Sequence, residues 1–279
     1  MSMRSKLFYS NTTLKFLTVF TFFIFSTCVF SQNEFITTWK TDNPGTSNST
    51  SITIPTIGGG YNYDVDWGDG NSDSNVLLPD KTHTYTLGGT YTVTITNQFG
   101  ALNMQRGLGT VQSPAIGGIS YPNNPTSLTK MVQWGTDNVW SALYRTFYYC
   151  TEMLYEATDF PDISNMVESN ANGREVFRNC NSIETMDLSN WTNTSNLQYM
   201  YMAFRNLNSC TSFNISGWDL TSVTTMVYCF EFMGTTTSSG CDVDISNLTF
   251  NVCTTFAFAC KSIDISTLNM SGWNLGATN

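Results

Sequence analysis

Residues 177–191 read FRNCNSIETMDLSNW, and residues 204–218 read FRNLNSCTSFNISGW. Both stretches begin with Phe-Arg-Asn and end with Trp, and the second starts 27 residues after the first. A set of catalytic residues is needed once in a chain, whereas a repeated sequence pattern is typical of structural units that stack on one another. The repetition therefore predicts a solenoid.

Short runs of the form apolar–x–apolar–Ser recur in the same part of the chain: MDLS at 186–189, FNIS at 213–216, VDIS at 243–246 and LNMS at 268–271. Each run is expected to be a short strand in a parallel ribbon. Alternation then turns one set of side chains inward: Leu188, Ile215, Ile245 and Met270. The same alternation turns a polar, partly acidic set outward, and these are the candidate binding residues: Asp187, Asn214, Asp244 and Asn269.

Between these runs, apolar residues recur at i, i+3, i+4 and i+7, which favours short amphipathic helices over 140–147, 197–204 and 223–230. One unit would then be a strand, a turn and a helix in about 26 residues. The sequence predicts an α/β solenoid of about five turns over residues 131–279. Because the sequence stops just after a repeat strand, we expect an incomplete last turn. The chain would then be a fragment, or its uncapped turn would be open to self-association.

This repeat line resembles the leucine-rich-repeat class and, more closely, the BspA-like repeats of bacterial surface proteins. FRNCNSIETMDLSNW followed by TSNLQYM matches the BspA-like line almost throughout. The other copies are looser: Leu248 stands where the other copies have Trp, and FMGTTTSSGCD inserts a loop. The resemblance implies an exported or surface-attached protein, with links in some members to adhesion and to binding of extracellular proteins.

The first part of the chain alternates with the period of a half-buried strand. In YNYDVDW at 61–67 the aromatic residues and Val65 face one way and two Asp residues face the other. We expect a β-sandwich over 32–103, followed by a Gly- and Pro-containing connector over 104–130. VDWGDG, HTY at 83–85 and GTYTV at 89–93 resemble the signature of PKD-like domains. That resemblance implies an immunoglobulin-like fold and a spacer or adhesion role.

One turn in this part has two interpretations. Asp69, Asn71 and Asp73 stand at alternate positions, as ligands do in a calcium loop, but Ser74 occupies the place of the expected turn Gly. A solvated hairpin turn is the favoured interpretation, and a calcium site is the alternative. His83 is the single His of the chain, so neither a zinc cluster nor a nucleophile–His–acid set is expected, and no cofactor is expected.

The first 31 residues have the composition of a secretory signal peptide. Arg4, Lys6 and Lys15 precede or begin the apolar stretch Phe16–Phe30, and Val29 and Ser31 suit a cleavage site. The apolar stretch is shorter than the roughly 20 residues of a membrane span, although an uncleaved anchor and lipidation at Cys28 are alternatives. We therefore predict a secreted or cell-surface protein with no membrane insertion after cleavage.

Composition narrows the function classes. The chain carries 21 acidic residues against 12 Lys and Arg, with a formal net charge of −9, and this balance argues against nucleic acid as a partner. Seven of the eight Cys follow the signal, and they are interpreted as buried inert thiols or as disulfides between turns. No segment remains to hold a catalytic domain. We expect a non-enzymatic binding protein for an extracellular protein or polysaccharide. A structural stalk or assembly subunit and an accessory fragment of an exported hydrolase are the alternatives.

Overall fold

The computed structural model describes residues 31–43, 48–57, 59–105, 125–166, 172–253, 255–257 and 259–274. Residues 1–30 of the predicted signal peptide and 106–124 of the predicted connector lie outside the described residues. Within the described ranges, helix is confined to two 3-10 turns, Pro125–Ser127 and Thr194–Asn196. None of the helices in these ranges is long and apolar enough to cross a membrane.

The first part of the molecule is built from strands that alternate as the sequence predicts. They are β1 (Phe35–Lys40), β2 (Ser51–Ile54), β3 (Thr56–Ile57), β4 (Asn62–Asp66), β5 (Ser72–Val76), β6 (Lys81–Thr84), β7 (Thr90–Gln98) and β8 (Ala101–Leu102). β1, β7, β4 and β5 lie side by side and antiparallel in one sheet, and β2–β6 and β3–β8 form two smaller antiparallel pairs. The PKD-like sandwich stays a prediction.

The same sheet continues into the second part of the chain. β9 (Leu128–Gln133) pairs antiparallel with β1, and β10 (Leu154–Tyr155) pairs parallel with β9. Aromatic rings fill the core at this junction. The ring centroid of Phe99 lies 5.2 Å from that of Phe35 and 5.3 Å from that of Trp140, and the centroids of Trp140 and Trp134 are 5.1 Å apart. Buried apolar residues therefore form one continuous core from Phe35 to Phe250.

From residue 185 onward the strands stack in parallel, one from each turn. β11 (Thr185–Asp187), β12 (Ser212–Asn214), β14 (Cys241–Asp244) and β16 (Ile265–Asn269) form a four-stranded sheet. β13 (Asp219–Leu220) and β15 (Thr249–Phe250) form a second parallel pair on another side of the coil. Leu188, Ile215 and Ile245 are buried as predicted, so the prediction of a repeat solenoid with about five turns is confirmed.

The predicted helices over 140–147, 197–204 and 223–230 are wrong, and the solenoid is a β-solenoid, not an α/β one. The segments are chains of turns in which alternate N–H groups leave the segment. The N–H of Phe147 donates to Val176 O on the next turn at 2.9 Å, whereas the N–H of Tyr148 donates back to Arg145 O at 3.3 Å. The apolar residues recur every three or four positions because of these tight local turns. Each turn brings the next apolar side chain back to the core.

Aromatic ladders show how consecutive turns pack. Phe147, Phe177, Phe204 and Phe230 stack face to face with centroid separations of 5.3, 5.9 and 5.9 Å. Trp191 and Trp218 are buried and stack at 5.4 Å. The Phe and Trp residues recur in the sequence because each one stacks on the same residue type of the neighbouring turn.

The last described turn is less covered. Met270, predicted to face inward with Leu188, is 44% exposed, and three other large apolar side chains after residue 250 are also exposed: Val252, Phe256 and Leu268. Met270 is exposed because no described turn packs against it.

Candidate binding face

The four predicted stripe residues share one register. Asp187 is the direct partner of Asn214, Asn214 of Asp244, and Asp244 of Asn269. Parallel strands are about 4.8 Å apart, so the four side chains form a row across the sheet. Asp187 and Asn269 are exposed, and Asn214 and Asp244 are half-buried.

Each side chain of this row also shapes the backbone that follows it. Asp187 Oδ1 accepts hydrogen bonds from the Ser189 N–H at 3.0 Å and the Ser189 hydroxyl at 2.7 Å. Asn214, Asp244 and Asn269 accept the N–H of the residue two positions on in the same way, at 2.9, 2.9 and 3.2 Å. These are Asx turns, which direct the chain out of the strand. The choice of Asp or Asn in this row thus has a structural cause, in addition to any binding role.

A second row, which the sequence analysis missed, lies two residues earlier in the same strands. Thr185 is the partner of Ser212, Ser212 of Asp242, and Asp242 of Thr267, and all four side chains are exposed. The two-residue period of the strand could have identified it, since residues i and i+2 face the same side. We call the two rows together the outward face.

Hydrogen bonds tune the acids of the outward face. Partial burial acts to raise the pKa of Asp244, but bonds from Ser246 and Asn269 outweigh it and hold that pKa below its usual value. The hydroxyls of Ser266 and Thr267 donate to Asp242 Oδ1 and lower its pKa as well. Both carboxylates are therefore ionised at neutral pH, and the outward face is polar and negative.

A groove of about 360 Å³ adjoins the outward face at its first strand. We call it the edge groove, and its lining residues are Tyr155, Glu156, Ala157, Thr158, Thr185, Asp187, Ser189 and Asn190. It lies between β10, the last strand of the first sheet, and β11, the first strand of the solenoid sheet. The ladder of parallel strands is interrupted between these two strands, which leaves two sheet edges facing each other.

The turn at Asp69 is occupied by protein donors. Asp69 Oδ2 accepts a bond from Asn71 Nδ2 at 3.0 Å and lies 2.9 Å from His83 Nε2. The two oxygens of Asp73 bind Lys81 Nζ at 2.8 Å and Trp67 Nε1 at 2.9 Å. His83 stacks on Trp67 at 4.8 Å, as expected of a packed strand residue.

The calcium alternative at Asp69, Asn71 and Asp73 stays an alternative, and in the structure a lysine ammonium and an indole N–H bind the Asp73 carboxylate. In the part of the chain that the structure describes, no group of three or more His, Cys, Asp and Glu residues is arranged to hold a metal ion.

Comparisons with known proteins add no identity. No protein-family model, no curated protein and no solved structure matches the chain.

Proposed function

We propose that this chain is an exported, non-enzymatic binding protein that holds an extracellular protein or polysaccharide on the outward face of its solenoid. The observation that carries the proposal is the common register of Asp187, Asn214, Asp244 and Asn269 across four strands. An extended row of repeated polar groups suits an extended ligand, which it can contact once per strand. BspA-like and PKD-like membership is part of this proposal.

The negative charge of the outward face favours particular classes of partner. The chain is acidic overall, and Asp187, Asp242 and Asp244 place carboxylates on the outward face. Nucleic acid and anionic membrane would be repelled by such a surface. A basic or neutral extracellular partner is therefore expected. Export itself rests on the sequence of residues 1–31, and the surface location follows from it.

A matched pair of substitutions tests the proposal. Ser212 is exposed in the centre of the outward face, and its side chain is not the acceptor of an Asx turn. Ser212→Lys therefore adds a bulky cation without breaking such a turn. Ser238→Lys makes the same change in an exposed loop outside the sheet. The chain from Ser31 to Asn279 is screened against extracellular proteins and polysaccharides.

Saturable binding that Ser212→Lys weakens at least about tenfold, with Ser238→Lys unchanged, supports the proposal. Equal binding by both variants would place the contact elsewhere and overturn it.

A second candidate function, assembly with other copies of the chain, is favoured by the exposed apolar side chains of the last described turn. Val252, Phe256, Leu268 and Met270 are each at least 40% exposed. Exposed apolar side chains can mark interaction sites when they lie together on the surface. Sedimentation over a range of concentrations tests it, and a monomer at every concentration would contradict it.

A further inference from the structure

We infer that the edge groove and the depression beside it form a binding site for a neutral oligosaccharide. The second depression has a volume of about 440 Å³ and is lined by Gln32, Val132, Gln133, Thr136, Thr158, Asp159, Phe160 and Asn190. Thr158 and Asn190 line both cavities, so the two are neighbours. The inference rests on the proposed function, because Thr185 and Asp187 belong both to the edge groove and to the outward face.

Asn190 stands between the two cavities. Its Nδ2 donates to Thr158 O at 2.8 Å and so fixes the side chain across the gap between consecutive turns. Among the described residues, no donor contacts its Oδ1. An amide held in this way presents a preformed acceptor to a ligand on either side, and a fixed side chain loses little entropy on binding.

Most of the other residues that line the two cavities have side chains that can form hydrogen bonds. Gln133 is held by a bond from its Nε2 to Glu34 O at 2.8 Å. The carboxylate of Asp187 uses Oδ1 for its own turn, and no donor among the described residues contacts Oδ2. Amides, hydroxyls and a carboxylate are the side chains that can bind the hydroxyls of a sugar, since each hydroxyl both donates and accepts.

The backbone adds further groups. On either side of β11, Glu184 O accepts from the Ser212 N–H and the Leu188 N–H donates to Asn214 O, so the main-chain groups of these two residues point toward β12. Successive residues of a strand direct their main-chain groups to opposite sides. Thr185 and Asp187 therefore direct theirs into the edge groove, where β10 does not pair with them.

Phe160 supplies an apolar platform. It lines the second depression and is 38% exposed, although it is a large aromatic residue. The C–H face of a pyranose ring is apolar, so an exposed aromatic ring beside fixed polar groups is a suitable surface for it.

The charges exclude other ligand classes. Glu156 and Asp187 are acidic, and the nearby cation Lys130 already pairs with Glu156 at 2.7 Å. Asp159 accepts the N–H groups of Trp134 and Gly135 and caps that turn. Among the described residues no cation pairs with the Asp187 carboxylate, so an anionic ligand would be repelled there and a neutral one is favoured.

A peptide strand could in principle pair with the two sheet edges, but Asn190 bridges one end of the gap. The edge groove also offers only Tyr155 and Ala157 as apolar contacts, and both are buried, whereas strand addition draws its specificity from side-chain pockets. The oligosaccharide is the better match.

The test uses neutral tetra- to hexasaccharides from glucans, mannan, xylan, galactan and chitin, with the chain from Ser31 to Asn279 and calorimetry. Phe160→Ala is expected to weaken binding about tenfold and Asn190→Ala by a similar factor, whereas Phe160→Trp retains it. The matched control is Phe256→Ala, which removes an equally exposed ring from the last turn and is expected to leave binding unchanged.

The inference is overturned if none of these sugars binds, or if they bind and Phe160→Ala and Asn190→Ala leave the binding intact. Binding of an extended peptide that Asn190→Ala strengthens would overturn it in favour of strand addition. If sugars fail but an extracellular protein binds and Ser212→Lys weakens that binding, the inference fails and the proposed function stands.

Discussion

Asp187 and Asn214 are direct partners across β11 and β12, and each accepts the backbone N–H of the Ser two residues further on. The two residue types are thus equivalent as turn formers, and only one of them is charged. This equivalence separates the structural role of the row from a role in binding.

We predict that Asp187→Asn changes the free energy of unfolding by less than about 0.5 kcal/mol, because Asn preserves the acceptor. Asp187→Ala removes the acceptor of two hydrogen bonds from Ser189, so a loss of about 1 kcal/mol is expected. Urea unfolding of the two variants measures the difference, with exposed Thr185→Ala as the control. Equal destabilisation by Asn and Ala would show that the turn does not depend on the acceptor.

The strands of the solenoid could be predicted from the sequence, whereas the structure of the segments that join them could not. Met186 and Leu188 alternate with Asp187, and the structure buries the first two as this pattern requires. Alternation is a local property of an extended chain, so it can be read from a few residues. The shared register of Asp187, Asn214, Asp244 and Asn269 followed from the repeat alone.

The helix predictions failed because tertiary hydrogen bonding overrides a local periodicity. Arg145, Glu175, Met202 and Tyr228 all have positive φ, from 54° to 56°, which no α-helix contains. For residues other than Gly this conformation costs about 1–2 kcal/mol. This cost is offset because the positive φ turns alternate N–H groups toward carbonyl groups of the next turn of the solenoid. Those carbonyl groups lie far away in the sequence, so a short window of residues cannot predict them.

The edge groove could not be predicted for a related reason. Among the described residues, β10 is an edge strand of the first sheet and β11 is an edge strand of the solenoid sheet, and the groove lies between them. The repeat pattern predicts that successive turns are alike, so a departure from the pattern is invisible until the chain is folded. Asn190 and Phe160 are unremarkable in the sequence and gain their significance from this interruption.

The second prediction concerns buried charge in the turn segments. Glu175 is buried, contacts Arg145 Nε, and lies 2.6 Å from Arg178 Nη1. Glu175→Ala would leave these guanidinium groups without their counter-ion, and a loss of about 3–5 kcal/mol is expected. Urea unfolding measures it.

Lys130→Ala is the control for Glu175→Ala, because it breaks the exposed pair with Glu156 and should cost less than about 1 kcal/mol. Similar costs for the two variants would mean that solvent compensates the charges around Glu175.

The third prediction concerns acid stability. The hydrogen bond from Lys81 lowers the pKa of Asp73, and the bond from Trp67 adds to this effect, against a smaller opposing effect of burial. The folded chain therefore binds fewer protons at Asp73 than the unfolded chain does. The resulting stability is present above the unfolded pKa, about 3.9, and is lost as the pH falls through the lower folded value.

Thermal unfolding between pH 6 and pH 2 tests this for the natural chain and Asp73→Asn, which accepts hydrogen bonds but does not titrate. The natural chain should be the more stable of the two at pH 6, and its advantage should shrink below about pH 4. Asp69 and Asp244 titrate in both proteins and cancel in the comparison. A difference in Tm that stays constant to pH 2 would contradict the role of the Asp73 carboxylate.

The fourth prediction distinguishes the two interpretations of the cysteines. All seven Cys of the described residues are free thiols in the structure, and Cys260 is exposed whereas Cys150, Cys180 and Cys229 are fully buried. Burial raises the pKa of the Cys150, Cys180 and Cys229 thiols, and the Cys180 thiol also donates to Phe147 O at 3.0 Å. Because the thiolate is the reactive form, these three should react slowly even at pH 8.

Alkylation followed by peptide mass analysis measures this order. Iodoacetamide should label Cys260 first in the folded chain, and Cys150, Cys180 and Cys229 only after denaturant is added. Protection that disappears in denaturant is the signature of buried thiols, since a disulfide would stay unlabelled until it is reduced. Peptides that join Cys150 to Cys180 in the unreduced, denatured chain would show instead that oxidation links consecutive turns.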